Sequence, residues 1–253
     1  QPQGLFLDER LLKSPSVAVL ESNNATVQMC RLARENVLLS MDMIKTYDEK
    51  TASVIEQNEE LLDSDEDKLG TYLVKLSAQS LSQEHSHIVS KMLHAIGDFE
   101  RLGDHALNVM KTAREIATKD IHFTEQAVRE LEVLDRAIRE ILDLTTQAYA
   151  ENDLAIATRV EPLEQVIDGI IATIRSHHIN RLQQGSCTIE MGFVLSDLLT
   201  NYERISDHCS NVAVALIEVA HDSFDTHQYL NGVKFSSEEF NDRFDHYKAK
   251  YAL

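Results

Sequence analysis

Glycine and proline are scarce, eight and three in 253 residues, about a third of ordinary usage. Sandwiches, barrels and other turn-dense β architectures need those residues at many connections, so the shortage argues against them and for long helices with few turns. Tryptophan is absent and aromatic residues make up 6%. Basic residues are short as well, with 24 Lys and Arg against 42 Asp and Glu, a net charge of −18. Nucleic-acid phosphates are held by Lys and Arg, so no nucleic-acid partner is expected. The anionic leaflet of a membrane suits such a chain poorly too. The acidic surplus fits a soluble protein, or one whose ligand is a cation. Three cysteines without a Cys-x-x-Cys spacing argue against a disulfide framework and for a reducing compartment. No apolar run approaches the roughly 20 residues of a membrane span, and no signal-peptide pattern is visible. The first residue is Gln1, not Met, which reads as a piece of a longer protein.

What is present is helical periodicity. After an irregular start over residues 1–15, Ser14-Pro15-Ser16 reads as a helix beginning, because proline is tolerated in a first turn. Val27, Cys30, Val37, Leu38, Met41 and Ile44 then recur at helical spacing, which predicts one helix running to about Lys50. Further helices are expected over about 52–79, 82–118, 124–150, from after Asn152-Asp153 to about 183, and over 188–220. Ser82 reads as a cap. Pro162 suggests that the fifth helix starts late. The tail from Asp222 carries one short helix, about 237–248. No segment reads as a strand.

Three helices followed by three helices suggest a duplication. Glu100-Arg101-Leu102-Gly103-Asp104-His105-Ala106-Leu107-Asn108-Val109 aligns with Glu203-Arg204-Ile205-Ser206-Asp207-His208-Cys209-Ser210-Asn211-Val212, identical at six of ten positions with an offset of 103. At an offset of 105, Glu59 to Asp63 aligns with Glu164 to Asp168. The expected organisation is a linker over residues 1–15, repeats over 16–119 and 120–222, and a tail over 223–253.

Each repeat thus holds two Glu-x-x-x-Asp pairs: Glu59/Asp63 and Glu100/Asp104, then Glu164/Asp168 and Glu203/Asp207. Like charges four apart share a helix face and cost roughly 0.2–0.5 kcal/mol each. Random placement of this composition gives about two such pairs, and the chain has six; four of them fall at matched repeat positions, which is not background. On a helical wheel Val89, Leu93 and Leu107 lie close to Glu100, so the carboxylates sit at the margin of the apolar face. A carboxylate at a helix seam needs a base, a backbone donor or a metal. Oxygen-rich sites between bundle helices are a standard place for a metal, and this donor set suits iron, manganese, magnesium or, less well, zinc. The competing reading is an acidic solvated surface.

Other residues weigh less. His105 and His208 point away from the Glu positions and read as pairing residues on a neighbouring face. Asn108 and Asn211 read as hydrogen-bonding residues at a helix contact, and Glu56 and Glu161 as further ligand candidates. Glu84-His85-Ser86-His87 supplies one Glu-x-x-His, whereas a ferritin-like di-metal oxidase needs two copies. His177-His178 read as surface, and the cysteines as small core residues. No Gly-rich phosphate loop, nucleophile elbow or His-Glu-x-x-His is present, so the chain is expected not to be an enzyme.

"GDFERLGDHALNV" and "NYERISDHCSNVA", each about 40 residues after a Glu-x-x-x-Asp, resemble the paired signatures of the PhoU family of phosphate-uptake regulators, over about Val17 to Ala220. The opening "FLDERLLKSPSVAVLES" is similar to the stretch after the membrane region of bacterial sodium/phosphate cotransporters that carry a PhoU-like C-terminal domain. The resemblance implies an all-α protein of two tandem three-helix bundles, six long antiparallel helices in all. It also implies divalent or trivalent metal ions (iron, zinc or manganese) at the acidic pairs. Carried over position by position, the ligands are Glu59, Asp63, Glu100, Asp104, Glu164, Asp168, Glu203 and Asp207. Two departures stand out: Ser206 replaces the Gly103 of the first repeat, and Asn201 replaces its Asp98.

The expected function is a non-catalytic, metal-binding regulatory domain in phosphate uptake, at the cytoplasmic face of a bacterial inner membrane. Its partner would be the transporter region of the same or a neighbouring chain. Inorganic phosphate would bind through the metal, and a homodimer is a candidate assembly. The alternative is a helical adaptor that docks a transporter or signalling partner without metal.

Overall fold

The computed structural model describes residues 4–221 and 238–253. Among these residues there is no strand. Six long helices follow one another: α1 (Pro15–Asp42), α2 (Glu49–Ser77), α3 (Gln83–Thr118), α4 (Glu125–Glu151), α5 (Leu154–Gln183) and α6 (Ile189–His221). A shorter α7 (Glu238–Lys250) closes the chain.

Most helix starts are written locally. The side chains of Asp48, Ser82, Thr124 and Asp153 accept the backbone N–H of Thr51, His85, Ala127 and Ile156. Each satisfies one of the orphan donors of a first turn. Asn152 ends α4 in the left-handed region, φ 51°, which Asn tolerates better than most residues.

Two expectations need correction. The first helix does not run to Lys50. It ends at Asp42, and the chain turns through residues 43–48 before Asp48 opens α2, accepting from both the N–H and the hydroxyl of Thr51. The apolar spacing continues through the turn because Met43 is still buried there. Nor does Pro162 delay α5: it lies inside that helix and is buried. One ladder bond to the Thr158 carbonyl is lost, but α5 is held along its length by α4 and α6.

The N-terminal segment is also more ordered than an irregular linker. A 3₁₀ turn, Glu9–Lys13, packs on α1 and α2. The Tyr72 hydroxyl donates to the Asp8 carbonyl (3.0 Å), and Lys75 pairs with Glu9. The tail expectation for residues 222–237 lies outside the described residues. Past it, α7 packs on α5.

The packing repeats. α1, α2 and α3 pack mutually, as do α4, α5 and α6, and the two groups meet through α3 on α6 and α1 on α4. α3 and α6 run antiparallel, so residues 98 and 105 face 208 and 201. The core runs continuously through both groups, from Met29, Phe99 and Met92 to Leu134, Ile174 and Leu195. Cys30 and Cys209 are buried in it, while Cys187 is half-buried. The outer helices α2 and α5 carry the first acidic pair of each repeat, facing the second pair on α3 and α6.

Candidate functional site

The second repeat brings carboxylates together most tightly. Glu164 and Asp168 of α5 and Asp207 of α6 each offer an oxygen within 4.8 Å of the others. Among the described residues this is the one such group of three. Glu164 is 8% exposed; among the described residues no cation pairs with it, and its hydrogen-bonding neighbours are the carboxyls of Asp168 and Asp207. Burial raises its carboxyl to about 9, helped by Asp168, Glu161 and Asp207. Asp207 is raised for the same first reason, burial, and then by Asp168 and Glu203. An all-oxygen donor set with one buried, uncompensated carboxylate can satisfy a hard or borderline cation.

The fourth residue is engaged elsewhere. Glu203 Oε2 lies 3.7 Å from Arg175 Nη2. Glu161 accepts from the Ser210 hydroxyl.

The first repeat builds the same seam more loosely. Asp104 of α3 lies against both Glu59 of α2 and Glu100 one turn earlier on its own helix. Burial, then Asp104, raises Glu59. The same causes, followed by Glu66 and Asp63, push Glu100 up to about 7. Asp63 is exposed. None of these four carboxylates has an ion pair among the described residues. Glu56 instead takes Arg114 at 3.3 Å. Gly103 allows the close approach: a Cβ there would fall 2.7 Å from Leu62 Cδ1.

All eight predicted carboxylates therefore sit at the α2–α3 and α5–α6 seams, three in tight convergence, with Glu203 drawn aside. The two repeated histidines pair across the repeats rather than joining the carboxylates. His208 Nδ1–H donates to Asp98 and His105 Nδ1–H to Asn201, both at 3.0 Å. Asn211 also donates to Asp98, at 3.3 Å, whereas Asn108 is exposed.

His177-His178 are not a surface pair. His177 meets the buried Glu130 at 2.5 Å, and Arg181 donates to the same carboxylate at 3.0 Å. His178 is buried with neither ring nitrogen partnered. Arg175 belongs to no sequence motif, and Asp98 stands out in its signature only as the residue that Asn201 replaces. Aligning the repeats flags both, because Arg175 stands opposite Gly70 and Asp98 opposite Asn201. A cavity of about 940 Å³ between the ends of α1 and α3 and the start of α4 includes Met43, Phe123 and Tyr202 and none of the eight carboxylates.

A model of the PhoU domain family matches the chain twice, over residues 26–113 and 121–216. The chain is 22% identical over 213 residues to the phosphate-specific transport system accessory protein PhoU homolog 1 of Thermotoga maritima, covering 83% of this chain and 90% of that one. A homolog of the same description from Clostridium acetobutylicum is 21% identical over 78% of this chain and 90% of its own length. Two crystal structures share the fold. The phosphate transport system regulatory protein PhoU of Streptococcus pneumoniae superposes with TM-score 0.73 at 15% identity, over 83% of this chain and 98% of that one. PhoU of Pseudomonas aeruginosa does so with TM-score 0.74 at 18% identity, over 81% and 99%.

Proposed function

The chain belongs to the PhoU domain family, and from that premise we propose that it is a metal-loaded, non-catalytic regulator of phosphate uptake. Relatives described as accessory proteins of phosphate-specific transport systems support the regulatory role. The observation that carries the metal is Glu164, a buried carboxylate whose neighbours are three more carboxylates and no cation. Glu59, Asp63, Glu100 and Asp104 would hold cations in the first repeat, residues 16–119. Glu164, Asp168 and Asp207 would do so in the second, residues 120–222, with Glu203 turned toward Arg175 instead. Iron, manganese and zinc all suit such donors to different degrees.

A protein at −18 repels phosphate on its own. Cations on the acidic seams reverse the local sign and give phosphate oxygens something to bind. Regulation would then follow from contact with a transporter at the cytoplasmic face of the membrane, by a monomer or a homodimer. No helix among the described residues is long and apolar enough to cross a membrane. The stretch Phe6–Ser22 supports a finer assignment, the C-terminal domain of a sodium/phosphate cotransporter. Apolar stretches of about 20 residues encoded upstream would bear that out.

Elemental analysis of the purified chain, with equilibrium phosphate binding before and after chelation, tests the reading. The expected result is bound metal, and phosphate binding that disappears with it. E164Q should lose metal and keep its helicity. A chain that holds no metal and binds phosphate equally with or without added iron, manganese or zinc overturns the proposal and leaves the metal-free adaptor.

A further inference from the structure

The two repeats differ beside their carboxylates. In the second, the Arg175 guanidinium reaches from α5 to α6. Its Nη1 lies 3.4 Å from Ser196 Oγ, and its Nη2 lies 3.0 Å from Thr200 Oγ1 and 3.7 Å from Glu203 Oε2. Ser196, Thr200 and Glu203 fall at i, i+4 and i+7, so one planar fork spans a single edge of the helix. In the first repeat the matching positions are Gly70, Leu93 and Gly97. None offers a guanidinium or a hydroxyl to hold one. The space beside Gly97 is open, and Gly70 faces Ile96. All three parts of the clamp are missing together, and Glu100, the counterpart of Glu203, has no ion pair among the described residues.

We infer that Arg175 withholds Glu203 from the second site, so the two repeats present unequal ligand sets: four uncommitted carboxylates in the first, three in the second. The inference rests on the metal reading above and concerns how that metal is held. Glu164, buried among carboxyls with no cation beside it among the described residues, marks where the second repeat's cation belongs, among oxygens within 4.8 Å that do not include Glu203. An arginine stays charged throughout the accessible pH range. A cation that recruits Glu203 has to compete with its 3.7 Å ion pair and then sits beside the freed guanidinium, which Ser196 and Thr200 hold in place. Both effects oppose the fourth ligand. Nothing comparable opposes Glu100.

Mn(II) binding to the full chain, measured stepwise by equilibrium dialysis, tests this. E100Q should weaken one step by about tenfold or more, the scale of losing a ligand contact, whereas E203Q should leave both steps within about threefold of the parent. R175M should tighten the second-repeat step, and in that background E203Q should acquire the tenfold loss. R175K, which keeps the charge, should behave like the parent. Equal losses from E100Q and E203Q in the parent chain overturn the inference while leaving the metal reading intact. No Mn(II) bound by the parent overturns both. Should R175M fail to fold, the comparison of E100Q with E203Q decides alone.

Discussion

His105 and His208, one from each repeat, stack with ring centroids 5.4 Å apart and planes 28° from parallel. Each ring donates from Nδ1 to the opposite helix, His208 to Asp98 and His105 to Asn201, at the same 3.0 Å. The contact is one arrangement applied twice, with an amide in place of the carboxylate on one side. Burial lowers the pKa of His105, so that ring is neutral at pH 7 and an amide oxygen suffices for it. Asp98 carries more, since it also accepts from Asn211. D98A strands two donors in a helix seam and should cost about 2–3 kcal/mol, while N201A strands one neutral donor and should cost about 1 kcal/mol. Urea unfolding at pH 7 compares them. Equal midpoints would mean that the carboxylate adds nothing over the amide.

Gly103 and Gly97 are two turns of α3 with opposite requirements. A Cβ at 103 meets Leu62 Cδ1 at 2.7 Å, and Leu62 is fully buried in the core, while a Cβ at 97 meets nothing within 4 Å. G103A should therefore destabilise by about 1–3 kcal/mol, the usual cost of overpacking. G97A should stabilise by about 0.4–1 kcal/mol through helix propensity and a less flexible unfolded chain. The L62A/G103A double variant should lose less stability than the two single losses added together, because L62A removes the atom that a Cβ at 103 meets. Thermal melts of the four chains suffice. If G103A and G97A shift the melting temperature in the same direction, close approach is not what position 103 requires.

The helical class and the carboxylate seams were legible because both are periodic. Gly and Pro scarcity, helical spacing and Glu-x-x-x-Asp recurring at offsets of 103 and 105 are all local or register-based signals. Ser82 and Thr124 were readable as boundaries for the same reason. Asp48 was not, because apolar residues continue through Met43 and no glycine or proline marks the turn. The capture of Glu203 by Arg175, of Glu56 by Arg114 and of Glu130 by His177 and Arg181 is tertiary. Those partners lie 28 or more residues apart, and no spacing rule joins them. His178 looked like surface because a double histidine is polar, yet α5 turns that position inward.

The carboxylates set the pH response. Glu164 is pushed up to about 9 and Glu100 to about 7, in both cases first by burial and then by a neighbouring Asp. An unfolded chain releases those protons near pH 4.3. Between the two values the folded state binds more protons than the unfolded one, so stability falls as pH rises. The contribution is whole below about pH 4.3 and is lost on passing through 7 for Glu100 and 9 for Glu164. Metal-free protein in chelator should therefore melt at progressively lower temperature from pH 5 to pH 9. E100Q should flatten the lower part of that slope and E164Q the upper part. Saturating Mn(II) should reverse the trend, because a bound cation favours the ionised forms. A metal-free melting temperature that holds level over this range in the parent, or a slope untouched by E164Q, would refute the assignment.

Lys91 poses the opposite problem, a cation without an anion in a chain that has 42 acidic residues. It is buried on α3 with Nζ 4.8 Å from the centroid of the Tyr149 ring, and no ion pair reaches it among the described residues. Burying a charge costs several kcal/mol even after relaxation, and a desolvated cation–π contact returns about 2 kcal/mol. The cost exceeds the return, so K91M, which keeps the volume and removes the charge, should raise stability at pH 7 by about 1–3 kcal/mol on those magnitudes. Burial lowers the Lys91 pKa below its ordinary 10.5, and the folded state then binds fewer protons than the unfolded one in the interval between them. The parent should gain stability relative to K91M as pH rises toward 10.5, closing the gap. Denaturant midpoints at pH 7 and pH 10 measure it. A gap that is absent at pH 7, or unchanged at pH 10, would show that the ammonium stays hydrated at the end of its buried stem.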